Sequence, residues 1–424
     1  MPNTASMNEY RKYTLFAFLF GFGGSVNGSM TYYLGIPAAY LAWLGASVTQ
    51  IGSLAAILWA GFAIPQLLSA YATETRTIKK RFMAAAMALS GATWLIVGGN
   101  ILLFGGRYPS FSIWLFLVMF ACAVSWVGMF MPANFSLIFK ITPTARLGHL
   151  LGIVFAIQFA GTFVGGFAIK AINNVWAVPS NYTALFLITF LFSLGVAFIL
   201  LWIREPEGEP VAAERSFRDY LHKCILVLKT DRLFLRFLVA KWFMSGHYVI
   251  MAFLLVYLIR TRGFDPLNAG WLTSLNALGL AVAGFTITRI ADAFGPKYML
   301  MTSQIIALFY ISLIWLVPST GMIGIFIAFF ITGLAEMSDN VGYTNMSMLC
   351  CPTEDKSTYI AVTNVGIIPF MVILPVLMGR LIDAGILTYH HTFAIAMGMM
   401  IAAITYISLY VENPPGFVKM RAAE

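Results

Sequence analysis

Charge is scarce in this sequence. Asp, Glu, Lys and Arg make up 10% of its 424 residues, against 60% hydrophobic, and the mean hydropathy is +0.84. Water-soluble domains carry about 25% charged residues. A deficit spread along the whole chain points to a polytopic membrane protein. Cysteine is scarce too. Cys122, Cys224, Cys350 and Cys351 have no metal-ligand spacing and no plausible disulfide pattern, so neither a metal nor a cofactor is expected. HExxH, Walker and CxxC motifs are missing, as is any nucleophile–base constellation, which argues against an enzyme. The opening MPNTASMNEYRKY runs into a long apolar segment without a short apolar region and cleavage site, so no cleavable signal peptide is expected. The net charge of +9 is no nucleic-acid footprint, because the basic residues fall in particular loops. The tails are short, which leaves little room for a soluble sensor domain.

What is abundant is long apolar runs. A membrane helix needs about 20 such residues, and twelve segments qualify: 14–42, 49–71, 82–104, 111–139, 148–171, 183–203, 234–258, 268–288, 298–317, 321–347, 358–382 and 391–411. The expected fold is therefore all-α, with twelve transmembrane helices in two six-helix bundles. The bundles are residues 1–203 and 233–424. Between them lies a charged linker, 204–232, with two prolines. With the N-terminus in the cytoplasm, 20 of the 26 Lys and Arg fall on cytoplasmic loops and five on external ones (Arg107, Lys170, Arg260, Arg262, Arg380). The positive-inside rule thus places both termini and the linker in the cytoplasm, and the expected location is a bacterial inner membrane.

A shift of 218 residues superposes spans 2–3 on spans 8–9 without a gap. Gly52 falls on Gly270, Gly61 on Gly279, Glu74 on Asp292, Lys79 on Lys297 and Met83 on Met301. The halves therefore read as a parallel repeat, a layout tied to transporters with a central site. The loop RIADAFGPKYM (Arg289–Met299) resembles the loop signature of the major facilitator superfamily, and SAYATETRTIKKRF (Ser69–Phe82) is a degenerate first copy without the usual glycines. PTARLGHLLGIVFAIQFAGTFVGG is similar to the start of that family's helix 5. The resemblance implies alternating access, a cavity lined by helices 1, 4, 7 and 10, and a cytoplasmic gate that includes Glu74, Arg289, Asp292 and Lys297. The other reading of those loop charges is ordinary positive-inside charge. The glycine motif in GTFVGG lacks the family's proline after the second glycine (Gly166 stands there), so no direction of transport follows from it.

Ionisable residues inside a span are costly and by default functional. Span 7 (LVAKWFMSGHYVIM) has Lys241 and His247; span 10 (GLAEMSDNVGY) has Glu336 and Asp339. Span 7 rises from the cytoplasm and span 10 returns to it, so Lys241, about 12 Å in, reaches the height of the two acids. Lys241 is expected to pair with Asp339 or Glu336. Glu336, Asp339, Asn340 and Tyr343 share one helical face, as do Lys241, Ser245 and Tyr248; His247 points elsewhere, as a packing residue. Glu336 is expected to be the buried titrating acid. Asp339 is either buried or wet at the membrane interface. Two acids on one face invite proton coupling, since burial and a like-charged neighbour favour a neutral carboxyl.

The expected function is proton-coupled symport of a small polar organic solute by a monomer in the lipid bilayer. Asn27, Asn134, Lys241, Tyr248, Asn340 and Tyr343 would be its ligands. Export of amphipathic cations and uncoupled facilitation are the alternatives. The remaining amides, such as Gln158, Asn276 and Asn364, read as interhelical glue.

Overall fold

The computed structural model describes the chain except residues 1–20, 22–23, 27, 33–34, 75–77, 105, 142–146, 204, 206–216, 288, 316–320, 351–355, 415–416 and 418–424. Among the described residues the chain is helical and has no strand. In hydrocarbon every backbone N–H and C=O must be satisfied within the protein, and long helices do this within one segment. The helices are α1 (Ile36–Trp43), α2 (Val48–Glu74), α3 (Lys80–Phe104), α4 (Pro109–Ile141), α5 (Leu147–Val175), α6 (Ser180–Trp202) and α7 (Phe217–Thr230). They continue with α8 (Arg232–Arg262), α9 (Ala269–Phe285), α10 (Arg289–Phe294), α11 (Pro296–Trp315), α12 (Met322–Cys350), α13 (Lys356–Asp383) and α14 (Tyr389–Tyr410).

Ten helical stretches among the described residues are long and apolar enough to cross a membrane. They match expected spans 2–4, 6 and 7–12. Span 5 is helical as α5, but the side chains of its first turns lie outside the described residues, as does the start of span 1. The end of span 1 departs from expectation. Helix reaches Thr31, Tyr32 is non-helical, and α1 begins anew after Gly35, with Pro37 in its first turn. Proline lacks an N–H and disfavours helix in the residue before it, so a break falls naturally here. The linker also departs: it holds the 14-residue helix α7.

Two compact units result. One comprises residues 1–213 and 258–274, the other 214–257 and 275–424, so α8 starts in the second and ends in the first. In the first unit α2 packs on α4, and α3 on both α4 and α6. Its aromatic core sets Trp94 flat against Phe186, with centroids 5.2 Å apart, and Tyr40 edge-on to Phe116 at 5.2 Å. The segment 258–274 is tied to the helices of this unit. Lys170 Nζ donates to Asn268 Oδ1 at 2.8 Å, Arg260 to the Ala46 carbonyl at 2.6 Å, and Ser274 Oγ to the Phe163 carbonyl at 2.9 Å. The glycines of GTFVGG serve close approach. A Cβ on Gly165 would meet Val26 O and Ser29, and one on Gly166 would meet Gly270 O and Ser274. A Cβ on Gly24 or Gly28 would meet nothing within 4 Å among the described residues.

In the second unit α12 packs on α11 and α13, and α11 on α14. Equivalent helix starts are capped alike in the two units. Glu205, just past α6, accepts from the backbone N–H groups of Lys79 and Lys80 at 2.7 and 2.8 Å. Lys80 Nζ in turn donates to the Ile203 carbonyl at 2.7 Å. Past α14, Asn413 accepts from the Lys297 N–H at 3.2 Å, and Lys297 Nζ donates to the Ser408 carbonyl at 3.0 Å. Gly295, at φ +97°, turns the chain there, and a Cβ would strike Asn413. Glu205 satisfies two N–H groups at a helix start, so Glu205→Ala should lower stability by about 1–2 kcal/mol, read as a lower thermal midpoint.

Candidate functional site

The site is built from α8 and α12 within the second unit. Lys241 projects from α8 and Asp339 from α12, and both are almost fully enclosed, with 2% and 1% of their surface exposed. The Lys241 ammonium donates to both carboxylate oxygens of Asp339, at 2.8 and 2.7 Å. About two turns further along α8, the Tyr248 hydroxyl donates to Asp339 Oδ2 at 2.6 Å. Asp339 therefore receives three hydrogen bonds from one helix. The Lys241 ammonium also lies 5.1 Å from the Tyr343 ring centroid and 5.9 Å from that of Tyr248, within cation–π range. Tyr343 donates its hydroxyl to Asn364 Oδ1 of α13, which fixes the ring.

The expected pairing of Lys241 with a span-10 acid thus falls on Asp339. The expected order of burial is reversed: Asp339 is the buried acid and Glu336 is half-buried. Helical rotation explains this. Asp339 lies about 60° to one side of Glu336 and Asn340 about 40° to the other. The α8 side chains cover the Asp339 edge, while Asn340 is exposed. Helix α12 runs on past Asp339 to Cys350. Glu336 accepts from Asn276 Nδ2 of α9 at 3.4 Å, and the same amide donates to Thr332 Oγ1 at 3.0 Å. That amide, read as glue, touches one of the two acids.

The remaining candidates scatter. His247 is buried and faces Tyr310, with Nδ1 3.1 Å from the hydroxyl, which agrees with a packing role. Its Nε2 has no hydrogen-bond partner among the described residues. Asn134 is buried in α4, in the first unit, and its Oδ1 has no partner among the described residues. Asn27 lies outside the described residues, as do the side chains of Glu74 and Asp292. Arg289 is exposed, and Lys297 caps the end of α14. Sequence reasoning missed Glu205 and Asn413 as caps. The signal was available, since each stands directly after its half's last span and Lys79 aligns with Lys297. No metal-binding group of His, Cys, Asp and Glu occurs among the described residues.

The sequence matches the family model described as Major Facilitator Superfamily over residues 14–267 and 243–422. No curated protein matches it significantly. Solved structures with a similar fold include a mutant form of the nucleoside transporter NupG, with TM-score 0.74 and 12% identity over 95% of this chain and 100% of that one. A D-xylose-proton symporter gives TM-score 0.67 and 15% identity, covering 97% of this chain and 99% of that one. A POT family transporter in complex with 5-aminolevulinic acid gives 0.68 and 12%, covering 94% and 96%. At these identities the likeness is one of fold.

Proposed function

The chain belongs to the Major Facilitator Superfamily, and on that premise we propose that it is a proton-coupled secondary transporter of a small polar organic solute, working by alternating access as a monomer in the bilayer. Its architecture is twelve membrane-spanning helices in two pseudo-repeated bundles, 1–203 and 233–424, joined by the linker 204–232, with both termini cytoplasmic in a bacterial inner membrane. The observation that carries the reading is the enclosed Lys241–Asp339 pair, beside the half-buried Glu336 and the exposed Asn340. Ion pairs are expensive to enclose in a membrane and persist where they serve a pathway.

The two acids take different parts. Asp339, held by Lys241 and Tyr248, is the fixed charge that reads the state of the pair. Glu336, half-exposed and one turn away, exchanges the proton. Solute binds through Asn27, Asn134, Lys241, Tyr248, Asn340 and Tyr343. Glu74, Arg289, Asp292 and Lys297 serve the cytoplasmic gate. The similar structures include a D-xylose-proton symporter and a nucleoside transporter, which agrees with a polar solute and a proton.

The test is purified protein in liposomes with an imposed pH gradient and a panel of sugars, nucleosides and short peptides, read by solute flux and internal pH. The expected result is solute uptake that rises with an inward proton gradient and acidifies the lumen. Glu336→Gln should keep exchange at equal pH yet lose the response to the gradient. Wild-type flux indifferent to the gradient would leave an uncoupled facilitator. Efflux of amphipathic cations alone would make the chain an exporter.

A further inference from the structure

Helix α7 has no part in the site, and its chemistry is of another kind. One side of it packs on α13, and Val227 and Leu228 are half-buried. The other side exposes Ile225 and Leu226, each 51% accessible, together with Lys229. The exposed strip continues past the break at Asp231 into the first turn of α8, with Arg232, Leu235 and Arg236 all exposed. From Ile225 to Arg236 the exposed side chains are thus apolar or basic apart from Thr230, with no exposed acid among them.

The strip is held close to the membrane. The Asp231 N–H donates to the Val227 carbonyl at 3.0 Å, and the Asp231 carbonyl accepts from the Leu235 N–H at 3.0 Å. Its side chain accepts from the Phe234 N–H at 2.9 Å, capping α8. The joint is therefore fixed by bonds on both sides. At about 1.5 Å per residue, Ile225 lies within about 10 Å of the start of a membrane-spanning helix, whatever the angle between the two. The headgroup layer adds about 5–8 Å on each face of the bilayer, a comparable depth.

We infer that this strip is a lipid-docking surface: Ile225 and Leu226 sink into the headgroup boundary, while Lys229, Arg232 and Arg236 bind the phosphates of anionic lipids. Charge complementarity selects the occupant. An apolar face alone would partition into any bilayer, whereas three cations beside it favour an anionic one. Docking would hold the linker at the membrane surface at the root of the helix that carries Lys241. The inference does not depend on what the site transports.

The test uses full-length protein in nanodiscs of phosphatidylcholine alone or of phosphatidylcholine with 30% phosphatidylglycerol. An environment-sensitive fluorophore is placed on Ile225→Cys in a background without the native cysteines. The expected result is a blue shift and shielding from an aqueous quencher, stronger with phosphatidylglycerol and weakened by high salt. A label equally open to the aqueous quencher in both discs would overturn the proposal. So would a label shielded equally in both and untouched by a lipid-borne quencher, since protein would then cover the face. Native mass spectrometry of the protein with its own cysteines gives a second reading. Phosphatidylglycerol retention should fall about fivefold in Lys229→Ala, the effect of one basic residue near the surface, and unchanged retention would count against docking.

Discussion

Asp339→Asn should both destabilise the protein and abolish transport, and the two losses should separate in a double variant. In the native protein the Lys241 ammonium has both its strong acceptors on Asp339. Removing that charge leaves a lysine enclosed to 98% without its counter-charge. Breaking a buried pair by deleting one partner costs about 3–5 kcal/mol, because the surviving charge keeps its desolvation penalty. Lys241→Met should cost a similar amount from the other side, with the Tyr248 bond to Asp339 softening it slightly. Replacing both, as Lys241→Met with Asp339→Leu, removes the stranded charge and should return the thermal midpoint close to the native value. Flux in liposomes should stay absent in the double variant. A double variant as unstable as the singles would mean that the pair is not what the singles break. A double variant that transports would remove Lys241 and Asp339 from the mechanism.

The pair was legible in the sequence for a specific reason. Lysine inside a span is so costly that one counter-charge at matching height is nearly obligatory, and the opposite course of spans 7 and 10 supplies the height. Its detail was less legible. Periodicity assigned Glu336, Asp339, Asn340 and Tyr343 to one face, but a face spans about 100°, and the neighbours decide which edge is covered. That edge turned out to be the Asp339 one, so the expected burial order failed. The Tyr248 hydroxyl points at Asp339 in this state; from the stripe alone it read as a solute ligand. Helical spans were easy to place because each must satisfy its backbone over about 20 residues. The break before Ile36 and the helix within the linker were not seen, because a long apolar run hides a turn and a charged linker hides an amphipathic helix. Glu205 and Asn413 escaped because polar loop residues are cheap to expose and so carry little structural information by type.

The second large effect concerns geometry rather than charge. Gly333 on α12 faces the backbone of α9: a Cβ there would meet the Asn276 carbonyl oxygen and the Leu280 nitrogen. Gly279 on α9 is placed reciprocally, against the Phe330 carbonyl. Neither obstacle is a side chain that can rotate away, so Gly333→Ala must push the two helices apart. Overpacking of this kind costs about 1–3 kcal/mol, and more where only backbone can yield. The displaced residue is Asn276, whose amide bonds Thr332 and Glu336, so the movement reaches the acid proposed to exchange protons. Gly333→Ala is therefore expected to lower the thermal midpoint and to shift the pH dependence of flux together. Gly398→Ala on α14 is the control, because its Cβ would meet nothing within 4 Å. That change should leave flux alone and raise stability by up to about 1 kcal/mol through helix propensity. If Gly333→Ala matched this control in both measurements, the close approach of α9 and α12 would not be what holds Asn276 against Glu336. If stability fell while the pH profile stayed fixed, the approach would be structural only, and proton exchange at Glu336 would not depend on Asn276.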